Sequence, residues 1–316
     1  GLNKGDYLTL SREVSLFEEF IRLTNEEVGC RQLCIMRLTS LIESKVQDCQ
    51  IRVYGSFEYD LSLPTSDIDL VVLFPKVGHM SSTKMVKILR KIARICRMDQ
   101  TFEVEEVLQT ARIPIIKLVD KEYGIQFDIS VNCDSGLQST KYVRALFKVY
   151  PNAKSIALFI KYLLLQNSLN EPYTGGIGSY AIILMICAYL KSYPTTDLGE
   201  ALVGILHYYG YTFKMRSTII SIHEGLVSNQ TIDEDGKPMI VDPCDEDNNV
   251  GRSSFKFSAI QYIFKKAYCG INVLFKNPNE KYLPKRSRLS NIVAIPQTLL
   301  QYRDAVKEHY NGRKMF

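Results

Sequence analysis

Residues 54–72 read YGSFEYDLSLPTSDIDLVV, which combines a turn, a strand and two aspartates. It opens on a Gly-Ser turn at 55–56 and closes in the β-branched and apolar run 68–74, which predicts a strand. Asp67 and Asp69 flank the first residue of that run. Because residues i and i+2 of a strand project from one face, the two carboxylates are expected to point together. Placing unpaired carboxylates beside a core is costly, so the pair indicates a function.

A third carboxylate follows in GIQFDISVN, residues 124–132. Apolar and polar residues alternate there, which puts Asp128 on the polar face of a second strand. Three carboxylates on neighbouring strands suit hard divalent cations such as Mg²⁺ or Mn²⁺. Two such ions about 3.5–4 Å apart can activate an attacking hydroxyl and stabilise the leaving group of a phosphoryl transfer. The Gly-Ser turn is expected to seat the phosphates, since its backbone N–H groups and the serine hydroxyl can face an anion.

Composition narrows the class of protein but leaves its partner open. The 316 residues are 46% hydrophobic, which is enough for two domains with their own cores. The net charge of +5 is mildly favourable for a phosphate-rich partner. The eight cysteines form no Cys-x-x-Cys pair, so we expect reduced thiols in an intracellular compartment and no zinc site. Because no apolar run reaches the ~20 residues that span a bilayer, we expect a soluble protein without a membrane partner.

Periodicity predicts an α/β region followed by a mostly helical one. The segment 82–97 is an amphipathic helix whose Lys and Arg face is either simply solvated or a strip for an RNA or triphosphate backbone. Thr24 and Glu27 form a capping-box pattern at the start of a helix. The turn-rich segment 228–252 is expected to be a long irregular loop. The other predicted elements are two helices in 11–48, strands at 102–107, 112–119 and 125–131, and helices at 153–167, 178–193, 197–210, 255–275 and 296–310.

The order of Gly-Ser turn, Asp-x-Asp and later Asp resembles the DNA polymerase β-like nucleotidyltransferase superfamily. Within it, the chain is similar to the non-canonical poly(A) polymerases, in the nuclear TRAMP-complex branch that tags RNAs for decay by the exosome. The resemblance covers nearly the whole chain. Its segments are GSFEYDLSLPTSDIDLVV at 55–72, FDISVN at 127–132, YTGGIGSYAIILM at 173–185, VDPCDEDNNVGRSSF at 241–255 and TLLQYRDAV at 298–306.

The resemblance implies a fold of the α/β plus α class with two domains. A nucleotidyltransferase catalytic domain with a mixed sheet is expected at 33–142. A helical central domain of the poly(A)-polymerase-associated type is expected from 1–32 and 143–316, with the nucleotide recognition motif at 242–252. The active site is expected in the cleft between these domains.

The resemblance also implies roles for individual residues. Asp67, Asp69 and Asp128 match the family's catalytic, metal-binding triad, and Gly55 with Ser56 matches the triphosphate-binding turn. The other matched nucleotide-binding positions are Lys161 and Ser179 for the phosphates, Tyr180 for stacking on the base, Asn132 and Thr140 near the ribose, and Asp245, Asn248, Asn249 and Arg252 in the recognition motif.

Several of these positions have structural alternatives. Lys161 stands alone in the apolar run IALFIKYLLL, where a cation either reaches a cleft or extends to water. Ser179 follows a glycine-rich stretch and could serve only as a helix N-cap. Tyr180 could belong to the core, and the acidic run at 245–247 could be a solvated turn in which only Asp245 touches the base, through water.

The recognition motif bears on the choice of base. Related uridylyltransferases carry a histidine just before Asn-Val-Gly-Arg, and this chain has Asn248 there. An amide offers a donor and an acceptor that can match the adenine edge, at roughly 1–3 kcal/mol of discrimination. Many uridylyl relatives also carry a second basic residue one turn after the phosphate lysine, where this chain has Leu165. The motif therefore favours ATP, with some use of GTP expected.

The resulting hypothesis is a template-independent RNA 3′-terminal adenylyltransferase that acts in RNA surveillance and exosome-linked decay. Its substrates would be ATP and an RNA 3′ end, with Mg²⁺ or Mn²⁺ as cofactor. A separate RNA-binding subunit of the zinc-knuckle type and an RNA helicase are the expected partners, in the nucleus and also in the cytoplasm. A terminal uridylyltransferase is the alternative within the class, and a catalytically silent RNA-processing scaffold is the alternative outside it.

Overall fold

A computed structural model describes residues 4–78, 80–111, 113–229, 236–273 and 287–314. The chain divides into two compact units. We call residues 22–141 with 296–316 the sheet unit, and residues 1–21 with 142–295 the helical unit.

Nine helices and nine strands are found in the described residues. The helices are α1 (Lys4–Ile21), α2 (Asn25–Glu43), α3 (Ser82–Met98), α4 (Ser135–Val149), α5 (Asn152–Leu165), α6 (Ser179–Ser192), α7 (Leu198–His207), α8 (Phe257–Val273) and α9 (Gln297–Lys314). The strands are β1 (Gln50–Tyr54), β2 (Ile68–Leu73), β3 (Phe102–Leu108), β4 (Ile115–Asp120), β5 (Gln126–Val131), β6 (Thr218–Ser221), β7 (Gly225–Ser228), β8 (Met239–Asp242) and β9 (Asp245–Asn249).

The sheet unit contains a five-stranded mixed sheet in the order β1-β2-β5-β4-β3. β2 and β5 are parallel, and the other neighbouring pairs are antiparallel. Leu89, Ile92 and Cys96 of α3 are fully buried in the core of this unit, so the predicted amphipathic helix has its apolar face inward. Its Lys and Arg side chains are exposed. The mixed sheet and the many helices confirm the predicted fold class.

Helix α2 begins at the predicted capping box. The Thr24 hydroxyl accepts a hydrogen bond from the Glu27 N–H, and the Glu27 carboxylate accepts one from the Thr24 N–H. These bonds satisfy N–H groups that have no partner within the helix.

The sheet unit has different boundaries from the predicted catalytic domain. The prediction assigned 22–32 and 296–316 to the helical domain, whereas both segments lie in the sheet unit. The reason is that α2 packs on α9: a Cβ on Gly29 would lie only 2.4 Å from the ring of Tyr310, and Arg303 pairs with Glu27 at 3.0 Å. On the other side, the two units divide after residue 141, within α4.

The helical unit is built around α5 and α6, whose residues are mostly buried. It also contains a four-stranded sheet in the order β7-β6-β8-β9, which the sequence analysis did not predict. The expected irregular loop at 228–252 is therefore wrong in part, because β8 and β9 form an antiparallel hairpin within it. Residues 230–235 of that loop, residues 274–275 of the predicted last-but-one helix and residue 112 of a predicted strand lie outside the described residues.

All eight cysteines of the chain are present as free thiols in this structure. None of the helices in the described parts of the chain has the length and apolar character needed to cross a membrane.

Candidate active site

Two of the three predicted aspartates are neighbours across the parallel strand pair. Asp69 on β2 is in register with Asp128 on β5. Asp67 lies directly before β2 and is separated from Asp69 by Ile68, which is fully buried. The strand parity used in the sequence analysis therefore places the side chains of Asp67 and Asp69 away from the core.

Asp128 has a cationic partner that the sequence analysis missed. Lys117 on β4 is in register with Asp128, and its Nζ lies 3.1 Å from each carboxylate oxygen. The available signal was a lone lysine in the apolar strand sequence IIKLVD. The ammonium offsets the repulsion expected when carboxylates are brought together.

The three aspartates are not gathered into a preformed ligand set. Across the described ranges, no group of three or more His, Cys, Asp or Glu side chains is arranged to hold a metal ion. The donor chemistry nevertheless fits Mg²⁺ or Mn²⁺, since carboxylate oxygens are the ligands that these ions prefer. A cation bound by Asp128 would share its two carboxylate oxygens with the Lys117 ammonium or replace it.

The Gly-Ser turn is fixed by contacts within the sheet unit. Gly55 has a φ of +72°, and a Cβ there would lie 2.2 Å from an Asp69 carboxylate oxygen. Its N–H donates to the Thr140 hydroxyl at 2.9 Å, and that hydroxyl donates to the Gly136 carbonyl at 2.7 Å. The Gly55 N–H is thus engaged within the protein, and the binding of phosphates by this turn stays a prediction. Glycine is needed here because the Asp69 carboxylate packs against its Cα.

Ser56 and Asn132 also have structural partners. Ser56 is 5% exposed, and its hydroxyl lies 3.2 Å from that of Ser62. Asn132 adopts a φ of +44°, and its side-chain oxygen accepts the Phe74 N–H at 2.8 Å. Asparagine tolerates this left-handed conformation better than most residues. Thr140 and Asn132 were both expected near the ribose. In the structure, Thr140 accepts the Gly55 N–H, and Asn132, directly after β5, accepts the N–H of Phe74, directly after β2.

The expected phosphate contacts of the helical unit lie on two packed helices. Lys161 is 8% exposed within α5. Ser179 is the first residue of α6, and the N-cap is Gly178, which makes no side-chain capping bond. The alternative in which Ser179 serves only as an N-cap is therefore wrong. Its half-buried hydroxyl accompanies backbone N–H groups that a helix N-terminus leaves without helical partners.

A carboxylate missed by the sequence analysis organises the expected base site. Asp242, at the end of β8, is 8% exposed. It accepts hydrogen bonds from the Tyr180 hydroxyl at 2.8 Å, the Asn248 side-chain amide at 2.9 Å and the Cys244 N–H at 3.0 Å. Burial and the Asp242 carboxylate raise the pKa of Tyr180, so its hydroxyl remains a donor. Tyr180 is only half-buried, and the alternative of a core residue is wrong.

The other residues of the recognition motif have distinct environments. The side-chain oxygen of Asn249 accepts the N–H groups of Ile240 at 3.0 Å and Gly251 at 2.8 Å, so Asn249 braces the β8-β9 hairpin. Asp245 begins β9 and is exposed, as is Arg252 after the hairpin. Asp242 and Asn248 are thus the polar pair that the fold places beside Tyr180.

The chain resembles known proteins in both sequence and fold. Residues 10–148 match the family model of the poly(A) RNA polymerase, mitochondrial-like, central palm domain. The poly(A) RNA polymerase CID14 of Cryptococcus neoformans is 29% identical over 96% of this chain. The polymerase core of TRAMP, an RNA surveillance complex, superposes with a TM-score of 0.79 at 26% identity, covering 90% of this chain and 94% of that one. The chain is thus similar in sequence and fold to the non-canonical poly(A) polymerases. The predicted resemblance is thereby confirmed.

Other members of this fold group differ in what their names say of them. The inactive non-canonical poly(A) RNA polymerase protein Trf4-2 of Drosophila melanogaster is 28% identical over 96% of this chain and 77% of its own length. A cytoplasmic RNA terminal U-transferase has a TM-score of 0.71 at 23% identity, covering 92% of this chain and 99% of that one, and shares the fold. This chain spans only 44% of the length of CID14.

Proposed function

We propose that this chain is the catalytic core of a template-independent RNA 3′-adenylyltransferase. The observation that carries the proposal is that Asp69 and Asp128 lie in register on parallel strands. Asp67 directly precedes the first of these strands, and the Asp69 carboxylate lies against the Cα of Gly55. Similarity to named poly(A) RNA polymerases and to the TRAMP polymerase core supports the proposal. In the reaction, the RNA 3′ oxygen loses its proton and bonds to the α-phosphorus of ATP, while the bond from that phosphorus to pyrophosphate breaks.

Asp67, Asp69 and Asp128 would hold the divalent cations, Mg²⁺ or Mn²⁺. When bound, such cations stabilise negative charge on the attacking and leaving oxygens. Lys117 keeps the Asp128 carboxylate paired with positive charge in the protein alone, at 3.1 Å from both oxygens. Gly55 leaves room for the Asp69 carboxylate, because a Cβ at position 55 would lie 2.2 Å from one of the carboxylate oxygens.

Nucleotide selection would depend on the orientation of the Asn248 amide. An ionised carboxylate only accepts hydrogen bonds, so Asp242 fixes the NH₂ end of the amide toward itself. The opposite, oxygen end suits the exocyclic amine of adenine, which a uracil lacks. Tyr180, held through the same carboxylate, would stack on the base, and Lys161 with Ser179 would contact the phosphates.

The wider assignment follows the family. The RNA 3′ end would be the second substrate, and the exposed cations of α3 give a surface suited to a phosphate backbone. We propose a nuclear role in RNA surveillance, with action in the cytoplasm as a second site. A zinc-knuckle type RNA-binding subunit and an RNA helicase would be the partners.

A catalytically silent scaffold is the second candidate. The observation that favours it is the Lys117 ammonium at Asp128, which occupies a proposed metal ligand. The relative named inactive gives this alternative a precedent in the family.

One experiment separates these functions. The purified chain is given an oligo(A) primer, Mg²⁺ or Mn²⁺, and each nucleoside triphosphate in turn, with Asp69→Asn as the matched control. We expect extension with ATP, weaker extension with GTP, and none in the variant. Equal extension with UTP would reject the adenylyl assignment, and binding of the primer without any extension would support the scaffold.

A further inference from the structure

A buried arginine of the sheet unit donates hydrogen bonds to backbone carbonyls in the segment directly before Asp67. Arg31, in the middle of α2, is 2% exposed. Its Nη1 donates to the Ser66 carbonyl at 2.8 Å, and its Nη2 donates to the Pro64 carbonyl at 2.8 Å and the Leu63 carbonyl at 3.4 Å. A guanidinium has a rigid fork of donors, so these bonds fix both distance and direction.

The segment that accepts these hydrogen bonds has little regular secondary structure. It runs from the Gly55–Phe57 turn to the start of β2 and includes Pro64. Within it, the Leu63 N–H donates to the Ser66 hydroxyl at 3.0 Å, and the Ser66 N–H donates to the Leu63 carbonyl at 2.9 Å. Arg31 therefore closes a small turn from outside.

The position of this turn bears directly on Asp67. The Ser66 carbonyl belongs to the same planar peptide group as the Asp67 nitrogen. Holding that carbonyl at 2.8 Å holds one end of the Asp67 residue, while β2 holds the other. The rotation of the Asp67 backbone is thus restricted on both sides.

The positive charge of Arg31 also interacts with Asp67. Burial lowers the pKa of the guanidinium, and the nearby Tyr302, Glu27 and Asp67 act in the opposite direction. An arginine stays protonated in a protein, so α2 carries a permanent positive charge behind the aspartate. Burying such a charge is costly, and its hydrogen-bond acceptors here are the carbonyls of a single turn.

We infer that Arg31 is a positioning residue for the proposed metal site: its hydrogen bonds to the carbonyls of Leu63, Pro64 and Ser66 set the placement of Asp67. The inference rests on the proposed function, in which Asp67 binds a divalent cation. Groups that orient metal ligands from behind typically contribute about 10–100-fold to metal affinity or activity.

The test is Arg31→Lys, which keeps the charge and removes the fork. Arg37→Lys is the matched control, because Arg37 lies on the same helix but pairs with Asp120 and Glu122 instead. Mn²⁺ binding is measured by electron paramagnetic resonance in the absence of nucleotide, together with kcat, KM for ATP and the thermal midpoint. We expect Arg31→Lys to weaken Mn²⁺ binding about tenfold or more and to lower kcat, with KM for ATP unchanged. Arg37→Lys should lower the thermal midpoint without weakening Mn²⁺ binding.

A second variant decides the matter if Arg31→Lys fails to fold. Ser66→Ala removes the hydroxyl that closes the same turn and leaves the buried charge in place. It should weaken Mn²⁺ binding in the same direction by less than about tenfold. Native Mn²⁺ binding in either folded variant, or equal weakening in Arg37→Lys, would overturn the inference.

The outcome also separates this inference from the proposed function. If the wild-type chain extends RNA and Asp67→Asn binds Mn²⁺ weakly while Arg31→Lys behaves as wild type, only the role of Arg31 fails. If Asp67→Asn binds Mn²⁺ as the wild type does and no variant extends RNA, the proposed function itself fails.

Discussion

Asp128 and Asp242 are both carboxylates with little exposure, but their partners are of different kinds. Asp128 is held by an ammonium group, that of Lys117. Asp242 is held by neutral donors: a phenol, an amide and a backbone N–H. A carboxylate paired with one cation can exchange it for another cation. A carboxylate surrounded by neutral donors instead fixes the orientations of those donors. Asp128 is therefore suited to binding a catalytic cation, and Asp242 to orienting the side chains that select the nucleotide.

The largest effect is expected at Asp128. Asp128→Ala should lower turnover by at least ~10³, about 4 kcal/mol of transition-state stabilisation, because a proposed cation ligand is lost. Single-turnover extension with ATP measures the loss, and circular dichroism should show near-native folding. Turnover equal to that of the wild type would remove Asp128 from the mechanism.

The next effect is expected at Gly55, which supports the same carboxylate group. Gly55→Ala places a Cβ 2.2 Å from the Asp69 carboxylate and forces alanine to a φ of +72°. A displacement of ~1 Å in a catalytic group costs about 10²-fold, so we expect a loss of that order in kcat.

Gly178→Ala is the matched control for this prediction. Its φ is −79°, and its Cβ would meet only side-chain carbons of Pro172, the nearer at 3.1 Å. We expect this variant to stay within severalfold of the wild type, and equal losses in both variants would contradict the special role of the Gly55 turn.

A smaller effect, of another kind, is expected at Asp242. Asp242→Ala leaves the donors of Tyr180 and Asn248 without their acceptor, which costs about 1–3 kcal/mol of stability. The released amide should reduce the preference for ATP over UTP roughly tenfold, within the discrimination of one base contact. Competition between the two nucleotides measures the ratio. A fall in kcat as large as that of Asp128→Ala, with the ratio unchanged, would show that Asp242 acts in chemistry.

The smallest effect is expected from Asn248→His. An imidazole nitrogen can donate to the uracil O4, so the ATP to UTP ratio should shift toward UTP by roughly 1 kcal/mol, about fivefold. The same competition assay applies, with Asn249→His as a control for disruption of the hairpin. No shift would place base selection elsewhere in the chain.

The sequence predicted the strand positions of Asp69 and Asp128 because strand parity is a local property. Asp67, Asp69 and Asp128 follow from alternation within short segments. The partners of these groups could not be predicted in the same way. Lys117, Arg31 and Asp242 form hydrogen bonds with residues that are 11, 35 and 62 positions away in the sequence. Only the folded chain brings these partners together.

The β8-β9 hairpin was missed for a related reason. The sequence of β9 is DEDNN, which has low strand propensity, and it is a strand because it pairs with β8. Likewise, the contacts that the glycine and serine of the 55–56 turn make within the protein were not predicted. The two residue types were visible in the sequence, whereas the hydroxyls of Thr140 and Ser62 that engage them were not.

The packing of α9 on α2 has a consequence for biosynthesis. The sheet unit is discontinuous in sequence, since 142–295 separate its two parts. As a ribosome releases the chain, α2 emerges before residues 142–295, and the surface around Gly29 that Tyr310 covers stays open until α9 follows. The Arg303 partner of the buried Glu27 also follows those residues. The nascent chain therefore carries an incompletely packed α2 while the intervening residues are synthesised, and completion of this unit awaits α9.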